Sequence, residues 1–209
     1  MTKTLSLSKT VNAQKPLLVV LSGPSGTGKS TIVAELLKRD RRFCVSISAT
    51  TRPRRYAEKE GKDYYFLATE EFRNKKRQGE FIETASVFEE WYGTPKKPLL
   101  EALEHNRLVL FDIDVHGGMS IKKWRKDAVL IFVLPPSMSA LKGRLSGRKT
   151  ESATEMKLRL ARALKEISFW SKYDYVVCNN DLNETVELIR SIIRSESQRV
   201  VRCQTITFR

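Results

Sequence analysis

Cysteine is scarce in this chain. Cys44, Cys178 and Cys203 are far apart, odd in number, and form no C-x-x-C pair. That pattern excludes a disulfide framework and a cysteine-based zinc site, and it predicts a reducing, cytoplasmic setting. Long apolar runs are also missing: none approaches the roughly 20 residues needed to cross a bilayer. Residues 1–16 carry Lys3, Lys9 and Lys15 but no apolar stretch, so they do not read as a secretory leader and are expected to form a flexible extension. There is no internal repeat and no low-complexity segment. Acidic residues are outnumbered, 24 Asp and Glu against 38 Lys and Arg, for a net charge of +14. Such a surplus fits either nucleic-acid binding or a site for polyanionic small molecules. The basic residues are spread along the chain, with local clusters only at Arg52–Arg55 and Lys75–Arg77. That spread favours small-molecule anions, so neither nucleic acid nor membrane is the expected partner.

What is present is a 209-residue chain with the ordinary apolar share, 41%, of a globular domain. Apolar runs at 17–21, 43–47, 108–113, 128–134 and 175–178 read as strands buried on both faces. Helix-period segments fall between them at 32–39, 99–105, 137–145, 154–171 and 182–197, with Asp181 and Asn183 as candidate caps for the last. Strands alternating with helices predict an α/β fold with a parallel sheet. Residues 55–92 break the rhythm: an alternating run at 62–67, a helix at 69–78, then 81–85 and 91–92. They read as an inserted α+β lobe. Residues 144–154, poor in apolar side chains, read as a mobile lid. The expected organisation is a core of 17–54 and 93–198, a lobe of 55–92, and a C-terminal tail of 199–209.

The run at 17–30, L-L-V-V-L-S-G-P-S-G-T-G-K-S, carries the strongest chemical signal. A strand, a G-x-x-x-x-G-K-S loop and a helix in succession form the context of a phosphate-binding loop. Gly23, Gly26 and Gly28 let the backbone curl so that successive N–H groups point inward. Lys29 can reach β- and γ-phosphates, and the Ser30 hydroxyl can hold Mg²⁺.

Beyond the second strand, Arg52, Arg54 and Arg55 surround Pro53 and form a candidate phosphate clamp where an open sheet binds its ligands. Tyr64 and Tyr92 offer hydroxyls to a phosphate or packing to a base. Glu83 either accepts the paired N1–H and 2-amino donors of guanine or is a plain surface carboxylate. The third strand ends in Asp112-Ile113-Asp114. Either acid can orient Mg²⁺, directly or through water, and Asp114 can also cap a helix that follows. Their spacing predicts one strand face for both. Arg144, Arg148, Lys149 and Arg159 would bring positive charge over a transferring phosphoryl group if the lid closed.

These residues resemble the guanylate kinase family of phosphate-loop nucleoside monophosphate kinases. The match runs through S-G-P-S-G-T-G-K-S-T (22–31), S-x-x-T-R (48–52), G-K-D-Y-Y-F (61–66), E-F-I-E (80–83), Y-G-T (92–94), D-I-D (112–114), R-L-x-G-R (144–148) and Asn179-Asn180-Asp181. Order and spacing agree over roughly 17–198. The resemblance implies a phosphate-loop kinase core with a monophosphate-binding lobe and a lid. The implied reaction moves the ATP γ-phosphoryl group to GMP, with Mg²⁺, in purine nucleotide metabolism. It further implies that Gly23, Pro24, Ser25, Gly26, Thr27, Gly28, Lys29, Ser30 and Thr31 hold ATP phosphates, with Arg144 and Arg148 alongside and Asn179 near the adenine. Ser48, Arg52, Arg55, Tyr64 and Tyr92 would hold GMP, while Glu83 and Thr94 read the guanine edge and Asp114 lies nearby. Lys29, Arg55, Arg148 and Arg159 would act on the transferring group. The chain departs from the family pattern at Ala57 and Lys149, where glycine is usual, at His116, where glutamine is usual, and at Pro53, one place early.

Overall fold

The computed structural model describes residues 10–87, 89–105, 107–146 and 153–207. Strands are β1 (Thr10–Gln14), β2 (Leu18–Ser22), β3 (Phe43–Val45), β4 (Ala49–Thr50), β5 (Tyr65–Phe66), β6 (Phe81–Val87), β7 (Glu90–Pro95), β8 (Leu108–Asp112), β9 (Val129–Leu134), β10 (Tyr175–Cys178) and β11 (Cys203–Thr207). Helices are α1 (Lys29–Arg39), α2 (Thr69–Arg77), α3 (Lys96–Glu104), α4 (Val115–Trp124), α5 (Met138–Ser146), α6 (Ala153–Ile167) and α7 (Leu182–Ser197).

A five-stranded parallel sheet in the order β10-β9-β2-β8-β3 forms the core. All five of its strands are the apolar runs expected from the sequence. They are apolar throughout because both faces are covered. Leu17, Val19 and Leu21 pack with Ile32 and Leu36 of α1 and Val186 and Ile189 of α7. Leu18 and Val20 turn the other way, toward Leu99 of α3 and Ile121 of α4. Each such side chain contributes about 1.5–3 kcal/mol by leaving water. The strand before the glycine loop, β2, is thereby pinned in the middle of the sheet.

The inserted lobe is a mixed four-stranded sheet, β5-β4-β7-β6, with α2 against it. Phe72 of α2 is fully buried and stacks on Phe81, ring centroids 4.6 Å apart. The expected lobe limits of 55 and 92 are corrected: β4 and the end of β7 pair inside this sheet, so the lobe spans 49–95. A two-residue strand such as β4 is too short for any periodicity to mark it.

Two further expectations change. Residues 10–14 are not a loose extension but find partners in 203–207 of the C-terminal tail. They pair as the antiparallel ribbon β1–β11, from Thr10↔Thr207 to Gln14↔Cys203. The partners lie at opposite ends of the sequence, where no local pattern reveals them. The 144–154 segment is helical at both ends, in α5 and α6, and 147–152 lies outside the described residues. Asp181 caps α7 as expected, accepting the Glu184 N–H at 2.9 Å, whereas Asn183 accepts from Arg39 Nη2 at 2.6 Å.

Arg202 fastens the ribbon. It is 3% exposed; its guanidinium lies 3.4 Å from Asp127 Oδ2 and 3.7 Å from Glu196 Oε2, and its carbonyl accepts the Lys15 N–H at 3.0 Å. Without Arg202, Asp127 keeps Arg125 and Glu196 keeps Arg199 and the Tyr175 hydroxyl, so the loss is that of the buried guanidinium's own bonds, about 2 kcal/mol. Arg202→Met is therefore expected to lower the free energy of unfolding by about that amount in urea titration, with kinetics unchanged.

Candidate active site

The donor end is built by β2, which delivers the chain to Gly23 at the carboxyl edge of the sheet. Gly23 has φ +141°, and a Cβ there would lie 2.2 Å from the Val133 carbonyl oxygen of β9. No other residue fits so close a passage. Gly28, at φ +93°, begins α1. The first-turn N–H groups of α1 have no intrahelical acceptors, and the helix adds about half a positive charge there. Lys29 folds back over the loop, its Nζ donating to the Gly23 and Pro24 carbonyls at 2.7 and 3.0 Å. The Ser30 hydroxyl donates to Asp112 Oδ2 at 2.5 Å, so the two oxygens expected to share a metal are already in contact.

Three elements brace the loop from outside. Asn179, at the end of β10, donates through Nδ2 to the Thr27 carbonyl at 2.7 Å. Arg144 of α5 approaches the same carbonyl at 3.4 Å, and Arg159 of α6 reaches Ser25 Oγ at 3.3 Å. Thr27 turns its hydroxyl inward to the Pro24 carbonyl, 2.9 Å away.

The acceptor end belongs to the lobe. Glu83 on β6 faces Thr94 on β7, and the buried Thr94 hydroxyl donates to Glu83 Oε1 at 2.7 Å. Burial pushes the Glu83 carboxyl above its usual range. The nearby Asp114 charge adds to the rise, and the Thr94 bond opposes it. Tyr64 and Tyr92 meet edge to face, centroids 6.0 Å apart. Burial, followed by the Asp112 charge, raises the Tyr64 phenol, so it stays a neutral donor at neutral pH.

Asp114 is the N-cap of α4 rather than part of β8; its Oδ1 accepts the Gly117 N–H at 2.8 Å and its Oδ2 lies 3.7 Å from Arg162 Nη2. The expected shared strand face with Asp112 does not form, because β8 ends at Asp112. Of the two acids, Asp112 alone touches Ser30. His116 sits in the first turn of α4 against Phe169.

One cavity of about 760 Å³ joins the two ends. It is lined by the glycine loop with Lys29, Ser30 and Thr31, by Ser48, Arg55, Tyr64, Glu83 and Tyr92, and by Asp112, Asp114, Arg144 and Arg159. That size suits small-molecule ligands. Pro24, Thr27, Thr94 and Asn179 support this lining from behind rather than forming it. Arg52 stands beside this lining. Its guanidinium makes a two-point pair with Glu58 at 2.7 and 2.9 Å and lies over the Tyr64 ring, 5.3 Å from its centroid. Glu58 first, and the Tyr92 hydroxyl after it, hold the Arg52 charge in place. Arg148 lies outside the described residues.

The guanylate kinase family model matches residues 15–196, which span the loop, the lobe and the cavity between them. This chain belongs to the guanylate kinase family. It is 45% identical over 189 residues to a guanylate kinase of Clostridium tetani, covering 90% of each chain. It is 46% identical over 182 residues to a guanylate kinase of Rickettsia typhi, covering 87% of this chain and 92% of the relative. The crystal structure of guanylate kinase from Anaplasma phagocytophilum superposes with a TM-score of 0.77 at 36% identity, covering 92% of both chains.

Residues from the 22–31, 48–52, 61–66, 80–83, 92–94 and 112–114 stretches, with Arg55, Arg144 and Arg159, line this one cavity. Two of its lining residues, Arg162 and Glu166, were not singled out from the sequence. Their R-x-x-x-E spacing looks like an ordinary helix-surface ion pair. The signal available was position: Arg162 follows Arg159 by one helical turn, so it shares that residue's side of α6.

Proposed function

We propose that this cavity is where ATP phosphorylates GMP to GDP, with the donor phosphates on the 23–30 loop and the acceptor in the lobe. One observation carries the reading: a phosphate loop and a desolvated, Thr94-anchored carboxylate, Glu83, face each other across a single cavity. A carboxylate accepts two parallel N–H bonds, and guanine offers that pair on its N1–H and 2-amino edge while adenine does not.

In this reading Lys29 leaves the Gly23 and Pro24 carbonyls for the β- and γ-phosphates. Arg55, Ser48 and the Tyr64 and Tyr92 hydroxyls hold the GMP phosphate, with Arg52 and Glu58 fixing the tyrosines from behind. Arg144, Arg148 and Arg159 bring positive charge to the transferring group. The GMP phosphate is already ionised, so no general base and no covalent intermediate is needed; alignment and charge carry the barrier. Ser30 and Asp112 fit Mg²⁺, which takes hard oxygen donors and prefers one or two protein ligands beside substrate phosphates. When bound there, the ion neutralises charge on the β- and γ-phosphates.

No helix among the described residues is long and apolar enough to cross a membrane, and Cys44 and Cys178 are free thiols. Both suit a cytoplasmic enzyme. The deciding experiment is a coupled assay of ADP release from ATP with GMP, AMP, CMP or UMP as acceptor. GMP is expected to exceed the others by at least about 10²-fold in kcat/KM. Equal use of AMP would sink the assignment.

A further inference from the structure

Helix α6 turns a stripe of side chains into the cavity: Arg159, Arg162 and Glu166. Residues three and four apart on a helix are neighbours, yet the two arginines serve opposite ends. Arg159 reaches the donor loop at Ser25. Arg162 reaches the acceptor end, its Nη2 3.7 Å from Asp114 Oδ2, while its Nε donates to Glu166 Oε1 at 2.8 Å. Glu166 is 9% exposed. A carboxylate so far from water holds its partner in one place, because the alternative is an unpaired buried charge. Asp114 has Oδ1 committed to the Gly117 N–H, so Oδ2 is the oxygen that Arg162 addresses.

We propose that Arg162 is a positioning residue for the acceptor base. Pinned by Glu166, it aims Oδ2 of Asp114 into the cavity beside Glu83, so that two carboxylates present themselves to the N1–H and 2-amino edge of guanine. A cation beside Asp114 also offsets the repulsion between its charge and that of Glu83. Because the same helix carries Arg159, the purine end and the donor loop are linked through one rigid element. This inference rests on the reading of Glu83 and Asp114 as the groups that face guanine.

The test is steady-state kinetics of the full chain and its R162A, R162Q and R162K variants. GMP is compared with IMP, which lacks the 2-amino group. R162A is expected to raise KM for GMP about tenfold, the loss of one charge-assisted contact. KM for ATP and kcat stay within about twofold, and the preference for GMP over IMP shrinks by about the same tenfold. R162K recovers most of that preference by restoring the charge. R162Q, which keeps a donor for Glu166 without the charge, behaves as R162A and stands in for it if R162A does not fold. A native chain that uses GMP and IMP alike overturns the base-edge reading itself. A native chain that prefers GMP, with variants that prefer it equally, overturns only the role of Arg162. So does a loss that falls on KM for ATP, or on thermal stability alone.

Discussion

Lys29→Ala is expected to leave GMP binding intact and to reduce kcat by about 10³-fold. The ammonium lies 2.7 and 3.0 Å from two carbonyls of its own loop, at the mouth of α1. Those carbonyls keep it at the loop, from which it swings to the β- and γ-phosphates in the proposed reading. Once on the phosphates, it supplies a fixed cation when charge moves during transfer, and a water-poor cleft strengthens it. Loss of one such donor raises the barrier by roughly 3–4 kcal/mol. Arginine does not restore the rate, because its planar fork cannot replace a compact ammonium inside a tight loop. The measurement pairs kcat with a GMP titration and a melting curve. An alanine variant that turns over at the native rate would end the donor assignment.

Glu83→Gln is expected to lower kcat/KM for GMP by about 10²-fold while KM for ATP stays put. The amide keeps one acceptor oxygen and sets a donor against one of the two guanine donors. The native enzyme should also show an acid limb in kcat/KM for GMP. Burial, reinforced by Asp114, raises the Glu83 carboxyl above its usual 4.5. As pH falls through that raised value, Glu83 gains a proton and loses half of its accepting edge. The limb thus lies at higher pH than an ordinary carboxylate gives, and Glu83→Gln removes it. Stability runs in the opposite sense. The folded chain binds this proton more tightly than the unfolded one, so the contribution of Glu83 is most favourable below 4.5 and is lost as pH rises through the folded value. Identical pH profiles for the native chain and the variant would refute the base-reading role.

The core was legible because its strands are buried on both sides. A run such as Val129–Leu134 has no polar residue to spare, and α7 carries both a cap at Asp181 and a helical period. The ends of the lobe and the β1–β11 ribbon were not. β4 and β5 are two residues long, and the ribbon pairs segments from opposite ends of the chain. In the site, residue type located the cavity but not the task of each side chain. Arg52 belongs to a cluster of arginines that suits a phosphate, yet Glu58, six positions on, takes its guanidinium. Thr94 and Asn179 bond to Glu83 and the Thr27 carbonyl, and contacts of that kind are visible only once the strands are assembled.

The division into two sheets has a consequence for amide hydrogen exchange. β2 lies between β8 and β9, with every one of its residues buried; its N–H groups belong to the unit that opens only when the whole chain does. β4 and β5 contribute two residues each to a smaller sheet with its own cluster around Phe72. Their N–H groups can meet solvent through a local opening of lower free energy. Exchange is therefore expected to be slowest in the strand that carries the 23–30 loop and faster in the smaller sheet that holds Glu83, so the lobe can loosen while the loop keeps its shape.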